Sequence, residues 1–194
     1  MSAARVHGIV HLSLTIHHGD PMQYFALLIV TVFVSLDSGV VHGASSIQRE
    51  SLRDLPGVSV IIEEVPPDAQ EDGLSEELIR AAAERPLQSR GMRILTPAEQ
   101  ATTPSKPSLY VRVGTYKIQS DQYVYVVTVA LKQSVALAHR PQRKMFASTW
   151  EQGVIGTPGS KNLRDAAKVV EDLVTVFAND FQAVNNQDAV REEK

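Results

Sequence analysis

Residues 109–137 read LYVRVGTYKIQSDQYVYVVTVALKQSVAL, and this stretch decides the fold. Its apolar residues recur at every second position on both sides of a short polar break at residues 119–122. A period of two is typical of a β-strand with one buried face. The stretch therefore predicts two antiparallel strands joined as a hairpin. Polar Gln133 interrupts the apolar series of the second strand, residues 123–137, and predicts a bend or bulge there.

Three further strands are predicted on either side of this hairpin. Residues 57–65 are rich in β-branched side chains and end at a pair of prolines, which is a strand signal with a hard stop. Residues 92–95 predict a short strand. After a turn at residues 140–144, residues 144–155 predict a last strand, which Gly153 and the glycines that follow are expected to break.

An apolar stripe predicts a helix over residues 74–90. Pro86 is expected to kink or end this helix near Glu84 or Arg85, because proline lacks an amide hydrogen. Gly91 is a natural helix stop. Residues 66–73, which precede the helix, form a predicted acidic loop.

Two more helices follow from local signals. Residues 96–99 read TPAE, which combines a capping residue, a proline at the first helical position and an early acid. The clearest helix covers residues 162–184. Its apolar face consists of Leu163, Ala166, Ala167, Val170, Leu173, Val174, Phe177 and Phe181.

The order of elements is therefore β-α-β-β-β-β-α. A hairpin-rich sheet needs one face covered, which predicts an α+β fold in two layers with a mainly antiparallel sheet and helices on one face. We expect a single domain over residues 57–185. Residues 45–56 form a polar lead-in and residues 186–194 a frayed tail.

The amino-terminal 44 residues have a different character. Residues 24–36 form an uncharged, mostly apolar run of 13 residues. This is shorter than the ~20 residues of a membrane-spanning helix and matches the ~7–15 residues of a signal-peptide core. Small residues near Gly43 offer a cleavage region. We interpret residues 22–44 as a signal peptide, with an uncleaved membrane anchor or a buried strand as alternatives.

This interpretation sets the expected localisation. We expect translation to start at Met22, so that residues 1–21 are an unstructured leader or are not part of the translated protein. The chain is expected to be exported, periplasmic or secreted, with transient membrane contact through the signal segment or lasting attachment if the segment is not cleaved.

Composition excludes several classes of function. The net charge is −3, whereas nucleic-acid binders usually carry a basic field, so no nucleic-acid partner is expected. The chain has no cysteine, which rules out disulfides, thiolate catalysis and acylation as a lipoprotein. Five of the six histidines precede Ala44 and only His139 follows it. Since a metal site needs several converging ligands, no metal and no cofactor are expected.

Catalytic motifs are absent from the sequence. It contains no nucleophile elbow and no phosphate-binding loop. The glycine-rich residues 153–159 are best interpreted as a connection between a strand and a helix, whose amino terminus could hold an anion weakly. The acids around residues 63–72 are interrupted by prolines and do not follow a calcium-loop pattern. We therefore do not expect an enzyme.

Six residues are candidates for binding. The aromatic residues Tyr110, Tyr123, Tyr125 and Trp150 gather, together with Tyr116, on the predicted hairpin and the strand that follows it. They suit sheet core and cross-strand pairing, or alternatively an exposed aromatic patch for a protein or peptide partner. Arg140 and Arg143 belong to a basic turn, either a solvated hairpin end or a site for a lipid headgroup or an acidic partner.

Several short stretches give a family resemblance: LPGVSV at residues 55–60, SRGMRIL at 89–95, TWEQG at 149–153 and FANDF at 177–181. Over roughly residues 55–185 the chain resembles small bacterial cell-envelope domains of unknown function. The order of elements is similar to the amino-terminal domain of the periplasmic translocation protein TolB and to envelope accessory lipoproteins. The resemblance implies an accessory role in the envelope rather than a reaction. The missing lipoprotein cysteine departs from part of that group.

The leading hypothesis is a non-enzymatic, exported cell-envelope protein that binds a protein partner. The alternative is a periplasmic domain that binds a small ligand or an anion, either between sheet and helices or at the turn of residues 153–159. A third hypothesis is an enzyme whose site is assembled only in three dimensions.

Overall fold

The computed structural model describes residues 44–119, 122–157 and 160–189. The predicted leader and all of the predicted signal peptide except Ala44 lie outside these residues. Within them, five α-helices, one 3-10 helix and four β-strands follow one another along the chain. They are α1 (Ser46–Glu50), β1 (Ser59–Ile62), α2 (Pro67–Glu71), α3 (Glu76–Ser89), α4 (Pro97–Thr102), β2 (Ser108–Gln119), β3 (Gln122–Leu137), β4 (Arg140–Gly156), the 3-10 helix Ser160–Asp165 and α5 (Ala166–Ala189).

The four strands form one mixed sheet in the order β1-β2-β3-β4. The predicted hairpin is the antiparallel pair β2–β3, and β4 continues it on the other side of β3. β1 runs parallel to β2 at the opposite edge, since α2, α3 and α4 form the crossover that parallel neighbours require. The predicted α+β class with a mainly antiparallel sheet is confirmed.

The core lies between α3, α5 and one face of the sheet, which we call the inner face. Its buried strand residues are Leu109, Val111, Val113, Tyr123, Val127, Val129, Leu131 and Trp150. The predicted apolar stripe of α5 is buried against them, with Phe181 only partly covered. Helix packing on one side leaves the opposite side of the sheet, the outer face, without a covering helix among the described residues.

The prediction of a polar lead-in at residues 45–56 is wrong. The side chains of Ser45 and Gln48 form a capping box at the start of α1, and Leu52 is fully buried behind it. The amide of Asn185 in α5 donates a hydrogen bond to the carbonyl of Leu52, with an N···O distance of 3.1 Å. The sequence of this segment has no clear apolar period, so it does not predict the contact with α5, which is a tertiary contact.

The short strand predicted at residues 92–95 is also wrong. Ile94 forms an isolated parallel bridge with Val58 and no longer ladder. The chain leaves the sheet at once because Thr96 and Glu99 form a capping box that starts α4. The sheet therefore has four strands where the sequence predicted five.

Pro86 does not end α3, which continues to Ser89. The proline is buried near the carboxyl end of the helix, where packing offsets the missing backbone hydrogen bond. Gly91 ends the helix as predicted, with a φ of 72°. The amide of Met92 donates to the carbonyl of Leu87 at 3.0 Å, as in a Schellman motif.

The end of the β3–β4 hairpin differs from the prediction. The turn consists of Ala138 and His139, and residues 140–144 already belong to β4. Gly153 lies within β4 and does not break it. The predicted irregularity near Gln133 is present as a register shift after Leu131, but the extra residue belongs to β4.

Two further elements have other limits than the sequence predicted. The predicted acidic loop at residues 66–73 contains the short helix α2. The predicted carboxy-terminal helix begins as a 3-10 turn, and α5 then runs to Ala189 rather than Val184. In the described ranges, no helix combines the length and the apolarity that crossing a bilayer requires.

Candidate functional site: the outer face of the sheet

The outer face is built by strand alternation. Every second side chain of β2 and β3 points away from α3 and α5, and the register carries the same phase into β1 and β4. The polar and exposed apolar side chains that form this face are Ile61, Glu63, Tyr110, Arg112, Tyr116, Val126, Lys132, Phe146, Glu151 and Ile155.

A polar centre lies in the middle of this face. The hydroxyl of Tyr110 donates a hydrogen bond to Oε2 of Glu63. Nε of Arg112 lies 3.3 Å from Oε1 of the same carboxylate. Nζ of Lys132 lies 3.5 Å from the centroid of the Tyr110 ring, a cation–π contact. The hydrogen bond to Glu63 raises the pKa of the Tyr110 hydroxyl above its usual value.

The polar centre is a shallow depression of about 330 Å³, which Thr128, Ala130, Ser148 and Glu151 also line. The Arg112–Glu63 pair balances charge within it. In the described part of the chain, no group of three or more histidines and acids is placed to hold a metal ion. The arrangement offers hydrogen-bond donors, acceptors and one aromatic ring to a surface that lies against it.

An apolar patch occupies the end of the outer face where β2 finishes. It consists of Tyr116, Val126 and Ile155, of which Tyr116 and Ile155 are 72% and 73% exposed. Val126 and Ile155 are cross-strand partners, and Tyr116 pairs with Val124, the next outer-face position. We call these three side chains the apolar end.

Trp150 is a core residue, which agrees with its interpretation as sheet core and excludes it from the alternative, an exposed aromatic patch. It is fully buried on the inner face. Its ring meets that of Phe177 edge to face, with 5.1 Å between the centroids. The indole Nε1 donates to Oδ2 of Asp180 at 2.9 Å. Tryptophan suits such a site because the protein interior provides both apolar packing for its ring and a hydrogen-bond acceptor for its N–H group.

Tyr123 is also buried and therefore cannot belong to an exposed aromatic patch. Its hydroxyl lies 2.7 Å from Oδ2 of Asp72, and Nζ of Lys117 lies 2.9 Å from the same oxygen. These contacts lower the pKa of Asp72, with the hydrogen bond from Tyr123 as the largest cause. Desolvation is the main cause of the raised pKa of Tyr123.

The remaining candidates lie away from the polar centre. Tyr125 is half-buried on the inner face and packs over Gly156, where an added Cβ would lie 2.4 Å from its hydroxyl oxygen. Arg140 and Arg143 are exposed at the far end of the β3–β4 hairpin, beside the exposed His139. Of the six predicted residues, only Tyr110 contributes to the polar centre of the outer face.

Sequence reasoning missed most of this face. The contact between Tyr110 and Glu63 depends on the register of β1 against β2, which no local pattern reveals. The apolar end did leave a signal. Tyr116 and Val126 occupy the phase of the alternation that faces solvent, where polar residues are expected.

The glycine-rich residues 153–159 lead from a strand into a helix, as predicted: β4 ends at Gly156 and a 3-10 helix begins at Ser160. Gly153 and Gly156 belong to β4, residues 158–159 lie outside the described ranges, and the turn that follows is a 3-10 helix. Among the described residues, α5 begins at Ala166, and the weak anion site suggested for this connection stays a prediction.

No protein-family model, curated protein or solved structure matches the chain. The resemblance to envelope domains therefore rests on the sequence pattern alone and stays a prediction.

Proposed function

We propose that the chain is an exported, non-enzymatic protein of the cell envelope whose domain binds a protein partner through the outer face. One observation carries the choice of surface. Of eight large hydrophobic side chains exposed among the described residues, five lie on this face: Ile61, Tyr116, Val126, Phe146 and Ile155. Exposed apolar groups gathered on one side and bordered by polar groups are typical of protein interfaces.

The partner surface follows from the chemistry of the face. Apolar side chains of the partner would cover Tyr116, Val126 and Ile155, since burying these exposed groups gives the main gain on association. Tyrosine is a frequent energetic centre of interfaces. Hydrogen-bonding groups of mixed charge would meet Arg112 and Glu151 in the polar centre.

The remaining parts of the proposal have separate support. Export is supported by the length of the apolar run at residues 24–36, which fits a signal-peptide core. A non-enzymatic role is supported by the internal pairing of the polar centre, because catalytic groups are usually poised in a cleft with a partner left for substrate.

Site-specific photocrosslinking tests the surface. A photoreactive phenylalanine at Tyr116 or Ile155 should give a discrete adduct in cells that export the protein. The same group at Ala81, which is exposed on α3, is the matched control and should give none. Val126→Lys should abolish the adduct, because it places a charge in the apolar end. Equal adducts from Ala81, or an adduct that survives Val126→Lys, would contradict the proposal.

The alternative, a small-ligand or anion-binding domain, predicts a different result. A metabolite or anion that binds the folded protein should raise its melting temperature in proportion to the logarithm of concentration. A rise that Arg112→Ala abolishes would assign the depression to that ligand. No rise across the set, together with the crosslinks above, favours the protein partner.

A further inference from the structure

The β3–β4 hairpin extends beyond the rest of the sheet. β2 begins at Ser108, which pairs with Lys132, and the carbonyl of Ser105 accepts a hydrogen bond from the amide of Ser134. Past that point β3 and β4 continue as a two-stranded ribbon to the turn at Ala138 and His139. We call residues 135–146 the hairpin tip, which projects ~10 Å at 3.3 Å per residue.

The hairpin tip concentrates positive charge. Residues 122–150 contain no aspartate or glutamate, although the whole chain has a net charge of −3. Arg140, Arg143 and Lys144 are exposed, and within the described residues none of them has an acidic partner within 4 Å. These cations are available to an anionic surface.

A bulge enlarges the tip. Leu137 pairs with Arg140 and Ala136 pairs with Lys144, so residues 141–143 are inserted in β4 without partners in β3. Every residue from 138 to 146 is exposed. The insertion adds surface to the tip and includes Arg143.

Two large hydrophobic side chains follow the cations directly. Met145 is 50% exposed and Phe146 is 55% exposed. Their cross-strand partners are Val135 and Ser134, so Met145 and Phe146 lie on opposite faces of the ribbon. Basic groups beside exposed apolar groups are the combination by which peripheral segments bind an anionic bilayer.

The shape decides between a bilayer and an acidic protein. A stable protein interface buries ~800 Å² on each partner, and a ribbon two strands wide presents little of that. Insertion of a few residues among lipid headgroups needs no such area. We propose that the hairpin tip binds the surface of an anionic bilayer, with Arg140, Arg143 and Lys144 at the lipid phosphates. Of Met145 and Phe146, the side chain on the face turned toward the bilayer lies at the acyl boundary.

This surface shares Phe146 with the outer face but is separate from the apolar end. β3 runs from Gln122, next to the apolar end, to Leu137 in the hairpin tip, so the two surfaces lie at opposite ends of the same strand. Bilayer contact at one end leaves the other accessible to a protein partner, and either proposal can fail without the other.

A fluorescent label at the tip tests the proposal in the full chain. Because the chain has no cysteine, Ala138→Cys gives a single labelling site for an environment-sensitive dye. We expect a blue shift with vesicles of equal parts phosphatidylcholine and phosphatidylglycerol. With phosphatidylcholine alone, or at high salt, the shift should be absent. The same dye at Ala81→Cys on α3 should not respond, which separates tip contact from attachment by residues 24–36.

Charge variants provide the second arm. In the labelled protein, Arg140→Gln, Arg143→Gln and Lys144→Gln together should lower vesicle affinity about tenfold or more. The control combines Arg49→Gln, Arg85→Gln and Lys168→Gln, which changes the net charge equally at exposed sites elsewhere, and should leave affinity within about twofold.

Three results would overturn the proposal: a shift equally large with phosphatidylcholine, an equal loss in the control variant, or a tip that responds to polyglutamate but not to anionic vesicles. The last result would assign the tip to an acidic protein.

Discussion

The indole nitrogen of Trp150 donates a hydrogen bond of 2.9 Å to the carboxylate of Asp180, and this contact ties the edge strand β4 to α5. Trp150 is fully buried, so the donor has no access to water if the acceptor is lost. An unsatisfied buried donor costs more than the net gain of the bond itself, which makes the pair a sensitive test of the core.

Asp180→Ala should therefore lower the free energy of unfolding by about 1–3 kcal/mol, measured by urea denaturation. Asp180→Asn keeps an acceptor oxygen and should cost less than about 1 kcal/mol. Combining Asp180→Ala with Trp150→Phe should cost less than the sum of the single changes, because both remove one interaction. Strict additivity would mean that the hydrogen bond contributes nothing.

Gly57 should tolerate no side chain. Its φ is 145°, and an added Cβ would lie 2.4 Å from the carbonyl oxygen of Arg93, which accepts the amide of Val58. Gly57→Ala should destabilise the protein by about 2 kcal/mol or more. Gly91→Ala is the matched control. Gly91 has a φ of 72° but no atom within 4 Å of the added Cβ, so only backbone strain remains, about 1 kcal/mol. Equal losses would show that the contact with Arg93 is unimportant.

Asp72 should make stability depend on pH in the acid range. Its pKa is lowered in the folded state, by the hydrogen bond from Tyr123 and then by Lys117. The unfolded chain thus binds its proton at higher pH. The contribution is present above the ordinary pKa of aspartate and is lost as pH falls through the folded-state pKa.

Tyr123→Phe should raise the pKa of Asp72 toward its ordinary value and flatten this acid limb. A carboxyl ¹³C NMR titration and denaturation at several pH values would measure both effects. Tyr125→Phe, on the same strand, is the control and should leave the Asp72 titration unchanged. If the pKa of Asp72 is unchanged in Tyr123→Phe, the hydrogen bond from Tyr123 is not the cause of the lowered pKa.

We expect substitutions in the apolar end to weaken partner binding without changing the stability of the fold. Ile155→Ser removes a side chain that is 73% exposed, so the free energy of unfolding should change by no more than about 0.5 kcal/mol. The crosslink formed from Tyr116 should nevertheless fall sharply, since Ile155 belongs to the same apolar end. Lys168→Ser on α5 is exposed and should alter neither quantity. A large loss of stability in Ile155→Ser would indicate a structural role instead.

The elements that the sequence predicted well have their signal within a few residues. The stripe of α5, the stop at Gly91 and the hairpin β2–β3 follow from side-chain period and backbone conformation. The predictions of a lead-in and of a strand at residues 92–95 were wrong because the conformation of these segments depends on partners far away in the sequence. These partners are α5 for Leu52 and Val58 for Ile94.

The candidate site shows the same division. Trp150 lies four positions after Phe146, so an uninterrupted strand would place both side chains on one face. The extra residue at the bulge, Thr149, reverses the phase, and Trp150 enters the core while Phe146 remains outside. The sequence by itself determined that a half-buried hairpin and an amphipathic helix must pack together, because periodicity is a local property. Which aromatic side chains face solvent was decided only by the tertiary structure, because register and bulges arise from pairing between residues far apart in the chain.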